Sequence, residues 1–138
     1  EFDFAHSGSE RIRASYLRHN FDPVEEAGLW DFVEGATENI PGVRVVLAPG
    51  HTPYHQSVLI ESDGETACFL ADVCPTAAHL PLPWIMGYDL EPLVTLESKR
   101  NLWALARDRE WLLIFEHDLL VPWGRLDIDS ERPRLRDK

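Results

Sequence analysis

The spacing of apolar residues changes at Gly42. Before it they are sparse and helically spaced. The stretch opened by Ser9-Glu10-Arg11-Ile12 and running to about Arg18 puts Ile12, Tyr16 and Leu17 on one face. Asp22-Pro23-Val24-Glu25-Glu26 reads as a capped helix start with proline in its first position. After Gly42 the period becomes that of strands: Val43–Leu47, Gln56–Glu61 and Thr66–Ala71, the last two joined by the turn Ser62-Asp63-Gly64-Glu65. A loop rich in proline and aromatics, Pro75 to Tyr88, leads to Asp89-Leu90-Glu91-Pro92, which caps a helix predicted to reach Arg109. Leu93, Leu96, Leu102, Trp103 and Ala106 form its apolar stripe. Trp111–Glu116 is a returning strand and Leu126-Asp127-Ile128 a short edge strand. The predicted order is α, three β, α, β. It describes one α+β domain over 1–138, with a helical lead-in over 1–40 and a mainly antiparallel or mixed sheet with flanking helices over 43–128.

Polar residues with lone pairs stand where three of these apolar runs end. His51 lies in the glycine-hinged break Pro49-Gly50-His51-Thr52-Pro53-Tyr54-His55, Asp72 follows Ala67–Ala71, and His117 follows Trp111–Glu116. Two imidazoles and a carboxylate are ligands that zinc, iron or manganese accept. A carboxylate has two oxygens and can bridge two ions, whereas a neutral imidazole offers one lone pair. Each residue also has an ordinary role: a loop histidine on backbone, a strand-end turn or cap, a solvated strand end. Three such ends together point to convergence on one edge of the sheet.

Composition narrows the partners. The 138 residues, 44% apolar with five Trp, suffice for a real core. The formal charge of −11, spread along the chain, opposes binding to nucleic acid or an anionic membrane. No apolar stretch approaches the roughly 20 residues of a membrane span, and no basic-then-apolar segment opens the sequence. The basic run Arg132 to Lys138 is broken by Pro133 and Asp137 and reads as solvated. Cys68 and Cys74 have structural settings that suit a reducing compartment, so a cytoplasmic location is expected.

The loop Gly50-His51-Thr52-Pro53-Tyr54-His55 resembles the Gly-His-Thr-x-Gly-His motif of metallo-β-lactamase-fold hydrolases. Phe69-Leu70-Ala71-Asp72 resembles that family's strand ending in Gly-Asp, and Phe115-Glu116-His117-Asp118 its last ligand strand. Order and separations agree, as does a Pro-Trp…Tyr-Asp loop followed by a helix; the likeness runs from about Ser9 to Arg125. It implies that His51 binds a first metal, that Asp72 bridges both metals and positions water, and that His117 binds the second. His55 is then a supporting histidine. The implied cofactor is a divalent ion, zinc first, iron or manganese as alternatives. The implied activity is metal-dependent hydrolysis of an ester, lactone, thioester or amide in a small molecule, through a metal-bound hydroxide.

The departures are informative. The family's earlier His-x-His-x-Asp-His cluster has no counterpart, so the chain resembles the C-terminal half of an αβ/βα sandwich. Tyr54 and Ala71 replace glycines. The tyrosine that follows the bridging aspartate in lactonases is replaced by Val73, Cys74 and Pro75, with Tyr88 a remote substitute. Trp84, Ile85, Met86 and Tyr88 either wall an apolar pocket or pack on the surface. A sheet built to face another sheet is expected to homo-oligomerise or to bind a complementary N-terminal half. The alternative function is therefore a non-catalytic sandwich half that associates and retains one metal.

Overall fold

The computed structural model describes residues 1–8, 10–127 and 132–136, with only the backbone of Arg11. Where the sequence pattern suggests one domain with a lead-in over 1–40, contacts divide the chain into two compact units, Glu1–Glu34 and Gly35–Lys138.

The first unit holds α1 (Phe2–His6), α2 (Glu10–Arg13) and α3 (Arg18–Glu26). Helix α2 is shorter than predicted, and Ser9 lies outside the described residues. Helix α3 begins a turn earlier than the Asp22-Pro23 signal implied, leaving Pro23 inside it. Proline there forgoes its own amide bond to the preceding turn and crowds the carbonyl four residues back. Across that turn the Arg18 Nε donates to both Asp22 oxygens, at 3.1 and 3.0 Å. Phe2 packs edge-on against Trp30 and Phe32.

The second unit is a six-stranded sheet in sequential order: β1 (Glu38–Ile40), β2 (Val43–Leu47), β3 (Gln56–Ser62), β4 (Glu65–Phe69), β5 (Leu112–Ile114) and β6 (Trp123–Arg125). All neighbours are antiparallel except β4 and β5, which are parallel. That one parallel pair demands a long crossover, and α4 (Pro92–Asp108) lies in it. The lead-in is not helical to residue 40. Strand β1 sits on the sheet edge with all three residues exposed, so no burial pattern betrays it. Strand β4 stops short of the predicted Ala71 because the chain turns: Ala71 has φ +49°, and short 3₁₀ turns occupy Ala71–Val73 and Ala77–His79. Strand β5 ends at Ile114, before a bend at Glu116 and His117. The predicted edge strand at Leu126–Ile128 forms earlier, as β6. Leu126 makes an isolated bridge to Leu135, and Ile128 lies outside the described residues.

One sheet face, with Leu59, Cys68 and Leu113, joins Leu102, Trp103 and Ala106 of α4 in the core. Cys68 and Cys74 are free thiols, and burial pushes both up to about 12, which removes them as nucleophiles near neutrality. The other face follows by register: Val43, Val45, Leu47, Val58, Ile60, Ala67, Phe69, Leu112 and Ile114. It is apolar at its centre, with Gln56, Ser62 and Glu65 at its ends, and Leu47 and Ile60 on it are 51% and 44% exposed. Helix α4 departs from its predicted stripe. Leu93 is 79% exposed, while Thr95, Ser98 and Lys99 are buried beside Leu102, Trp103 and Ala106. Among the described residues no helix is long and apolar enough to cross a membrane.

Candidate metal centre

The buried polar half of α4 holds the loop that carries His51. Ser98 Oγ donates to the Pro49 carbonyl at 2.7 Å, and the amides of Leu90 and Glu91 donate to the carbonyls of His51 and Gly50 at 3.1 and 2.8 Å. Gly50 has φ +131°, and a Cβ on it would lie 2.2 Å from the Thr95 nitrogen, so the loop docks on α4 at a distance that only glycine permits. His51 Nδ1 lies 2.9 Å from Asp89 Oδ1, and Thr95 Oγ1 donates to Asp89 Oδ2 at 2.6 Å. Asp89 was expected as part of the helix cap. The capping position belongs to Glu91, and Asp89 instead turns a fully buried carboxylate onto the ring.

The opposite nitrogen of that ring, Nε2, faces Asp72 Oδ2 at 3.6 Å, and His117 Nε2 lies 3.2 Å from Asp72 Oδ1. The structure thus brings the three residues together, each imidazole on a different oxygen. His55 stands behind them. Its Nδ1 meets the Ala48 carbonyl at 3.0 Å and its Nε2 accepts the Asp72 backbone N–H at 3.1 Å. A carbonyl only accepts, so Nδ1 carries the hydrogen and both nitrogens are committed to protein groups. Burial holds the His55 pKa below the ordinary histidine value, with nearby His51 acting the same way.

His117 is set by its neighbours. Its amide donates to the Pro75 carbonyl at 3.0 Å. Asp118 accepts the amides of Val121, Leu120 and Ala77, at 2.8, 3.0 and 2.9 Å, tying this loop to the turn at Ala77–His79. Those backbone donors, Val121 first, hold the Asp118 carboxyl below its usual range. Ligand-type atoms of Asp72, Glu116 and His117 all lie within 4.8 Å of one another. The sequence pattern places Glu116 at the end of the returning strand and gives it no ligand role.

Two ligands about 2.1 Å from a tetrahedral ion stand about 3.4 Å apart. The His51–Asp72 and His117–Asp72 separations of 3.6 and 3.2 Å fit that spacing. A second group with ligand-type atoms, His6, Asp22 and Glu25, differs in kind. There His6 Nε2 lies 3.4 Å from Glu25 and Arg18 pairs with Asp22, so both carboxylates already have partners from the protein.

No family model matches the sequence. Among curated proteins, an N-acyl homoserine lactonase from a Bacillus species is 32% identical over 116 residues, covering 78% of this chain and 45% of the relative. A lactonase from Agrobacterium fabrum is 25% identical over 126 residues, 86% of this chain and 47% of the relative. Among solved structures, a probable metal-dependent hydrolase from Staphylococcus aureus matches all of the chain and 50% of its own, with a TM-score of 0.86 at 23% identity. This chain belongs to the metallo-β-lactamase-fold hydrolase superfamily. It spans about half the length of the curated relatives it matches. An N-acyl homoserine lactone hydrolase of that fold, with its product bound at a catalytic metal centre, matches 64% of the chain at 27% identity and a TM-score of 0.56.

Reading the sequence missed Asp89 as a partner of His51, and with it Thr95, Ser98 and Lys99. The available signal was positional. Residues 95, 98 and 99 continue the stripe of 102 and 106 at helical spacing, so their burial was implied wherever Leu102 and Ala106 were core. In this metallo-β-lactamase-fold chain, Lys99 Nζ donates to the carbonyls of His79, Pro81, Leu82 and Trp84, at 2.6 to 3.4 Å, fixing the loop after Asp72. Trp84 and Tyr88 on that loop are 61% and 80% exposed.

Proposed function

We propose that this chain supplies half of a metal-dependent hydrolytic centre acting on a small carbonyl substrate, a lactone in the first instance. The observation that carries the reading is Asp72 with a different imidazole on each oxygen. That is the layout of a carboxylate shared between two ion positions, with His51 serving one and His117 the other. Similarity to the Bacillus lactonase supports the substrate class, with other esters, thioesters and amides next. Zinc is the ion this nitrogen and oxygen set favours, ahead of iron or manganese.

When bound, a divalent ion lowers the pKa of water to about 7 and polarises a carbonyl oxygen. The chain's residues do the rest. Asp72 divides its oxygens between the imidazoles, His55 holds the Asp72 backbone, and Asp118 holds the loop of His117. Metal analysis after dialysis, with His51→Ala and His117→Ala as controls, tests the centre. Lactone hydrolysis is then measured for the chain alone and with a complementary N-terminal half. Retention of zinc that both substitutions reduce is expected; equal metal content in parent and variants ends the reading.

A second reading rests on the outer sheet face, whose centre is apolar, with Gln56, Ser62, Glu65 and Arg125 at its margins. Apolar burial is worth about 25 cal/mol per Å², so that face favours association with a complementary half or a second copy, with or without catalysis. Size-exclusion chromatography with light scattering decides between them. A monomer at high concentration, unchanged by the complementary half, removes association from the account.

A further inference from the structure

We propose that Asp89, seated by Thr95, is the positioning residue for His51: it keeps the ring hydrogen on Nδ1, so that Nε2 is the nitrogen presented to a metal. This rests on the reading of His51 as a ligand. The carboxylate has no donor of its own when ionised, so at 2.9 Å the Nδ1 must be the donor. A neutral ring hydrogenated at Nδ1 keeps its one lone pair on Nε2, the atom that faces Asp72 Oδ2 at 3.6 Å.

The ordinary account of such an aspartate is a helix cap, and the geometry does not support it. Glu91 occupies the capping position, and the two Asp89 oxygens take a ring nitrogen and a hydroxyl. Its side chain is 1% exposed. Burying a carboxylate is costly unless it is paired, and Asp89 faces His51 in that setting. Thr95 Oγ1 at 2.6 Å fixes the remaining oxygen, so the carboxylate cannot rotate away from the ring without breaking that bond. Thr95 also sits against Gly50, directly before His51, so one residue sets both the loop's approach and the carboxylate's orientation.

The test uses the full chain and two readouts. Long-range ¹⁵N–¹H correlation on the metal-free protein, at a pH where the ring is neutral, reports the His51 tautomer without reference to metal. Competition with a chromophoric chelator reports zinc affinity. The Nδ1–H form is expected in the parent. Partners of metal-binding histidines typically change affinity 10–100-fold when removed. Thr95→Val is therefore expected to weaken zinc binding about tenfold with the circular dichroism unchanged, Thr95→Ser to restore it, and Asp89→Asn to weaken it further. An Nε2–H ring in the parent overturns the proposal. So does zinc affinity within twofold of the parent in both Asp89→Asn and Thr95→Val while His51→Ala abolishes binding. If the parent binds no zinc, the metal reading fails, and the tautomer of Thr95→Val against the parent still decides the positioning role.

Discussion

His55 Nε2 accepts the backbone N–H of Asp72 at 3.1 Å, so the second histidine of the loop holds the aspartate that the first one faces. Its other nitrogen is spent on the Ala48 carbonyl, and the residue is 8% exposed. Removing the ring leaves the half-buried Asp72 amide and the fully buried Ala48 carbonyl without their partner. Each such orphan costs about 1–3 kcal/mol. His55→Ala is expected to lower the unfolding free energy by about 3 kcal/mol in urea, with the midpoint shifted and the slope retained. A loss under about 0.5 kcal/mol, the usual size for an inert surface site, contradicts this role.

Ala71 stands where the resembled motif has glycine, and it adopts φ +49°. A Cβ in the left-handed region costs about 1–2 kcal/mol, part of which glycine returns through the greater freedom of its unfolded chain. Ala71→Gly is expected to raise stability by up to about 1 kcal/mol, seen as a higher melting temperature. A lower melting temperature shows that the turn tolerates alanine without strain. Tyr54, the other replaced glycine, is not among the residues with positive φ, so the loop accepts a side chain there.

These positions show what the sequence discloses and what it conceals. Val43–Leu47 was legible because three valines and a leucine fill a five-residue run bounded by Gly42 and Pro49, and it forms with those bounds. The meeting of His51, Asp72 and His117 was legible because ligand-type residues directly follow apolar runs, and neighbouring strands bring such ends together. Strands β1 and β6 were hidden: three residues held by backbone bonds at or near an edge leave no periodic burial. Asp89, Thr95 and Lys99 were hidden for another reason. Charged groups ordinarily face water. Asp89 is buried against His51, 38 residues away, and Lys99 against carbonyls of residues 79–84, while Thr95 bonds the nearby Asp89. Apolar periodicity reports none of these polar contacts.

Lys99 is the extreme case, with no exposed surface and an ammonium shared among four carbonyls. Burial holds its pKa below the usual lysine value, yet those acceptors keep the charged form in place. Lys99→Met keeps the stem and removes the donors, leaving the carbonyls of His79, Pro81 and Trp84 without them. A loss of about 3 kcal/mol or more is expected, the range for breaking a buried charged network. Hydrogen exchange should accelerate first at residues 79–84. Uniform acceleration across the sheet, with that loop no faster than the rest, assigns Lys99 to general stability instead.

His79 gives the chain a pH response. Its Nδ1 lies 2.8 Å from Thr76 Oγ1, and burial, then the Lys99 ammonium, hold its pKa below the ordinary value. In the unfolded chain the ring binds a proton near pH 6.5, whereas in the folded chain it stays neutral to lower pH. Between those two values the unfolded state holds more protons, so stability rises with pH through this window. The contribution is complete above about pH 6.5 and is lost as the pH falls. His55, lowered by burial, acts in the same direction. Denaturation midpoints are therefore expected to fall between pH 7.5 and 5.5, and His79→Gln, which retains a partner for Thr76 without a titrating ring, should fall less steeply. Parallel curves for parent and variant would show that His79 titrates alike in both states.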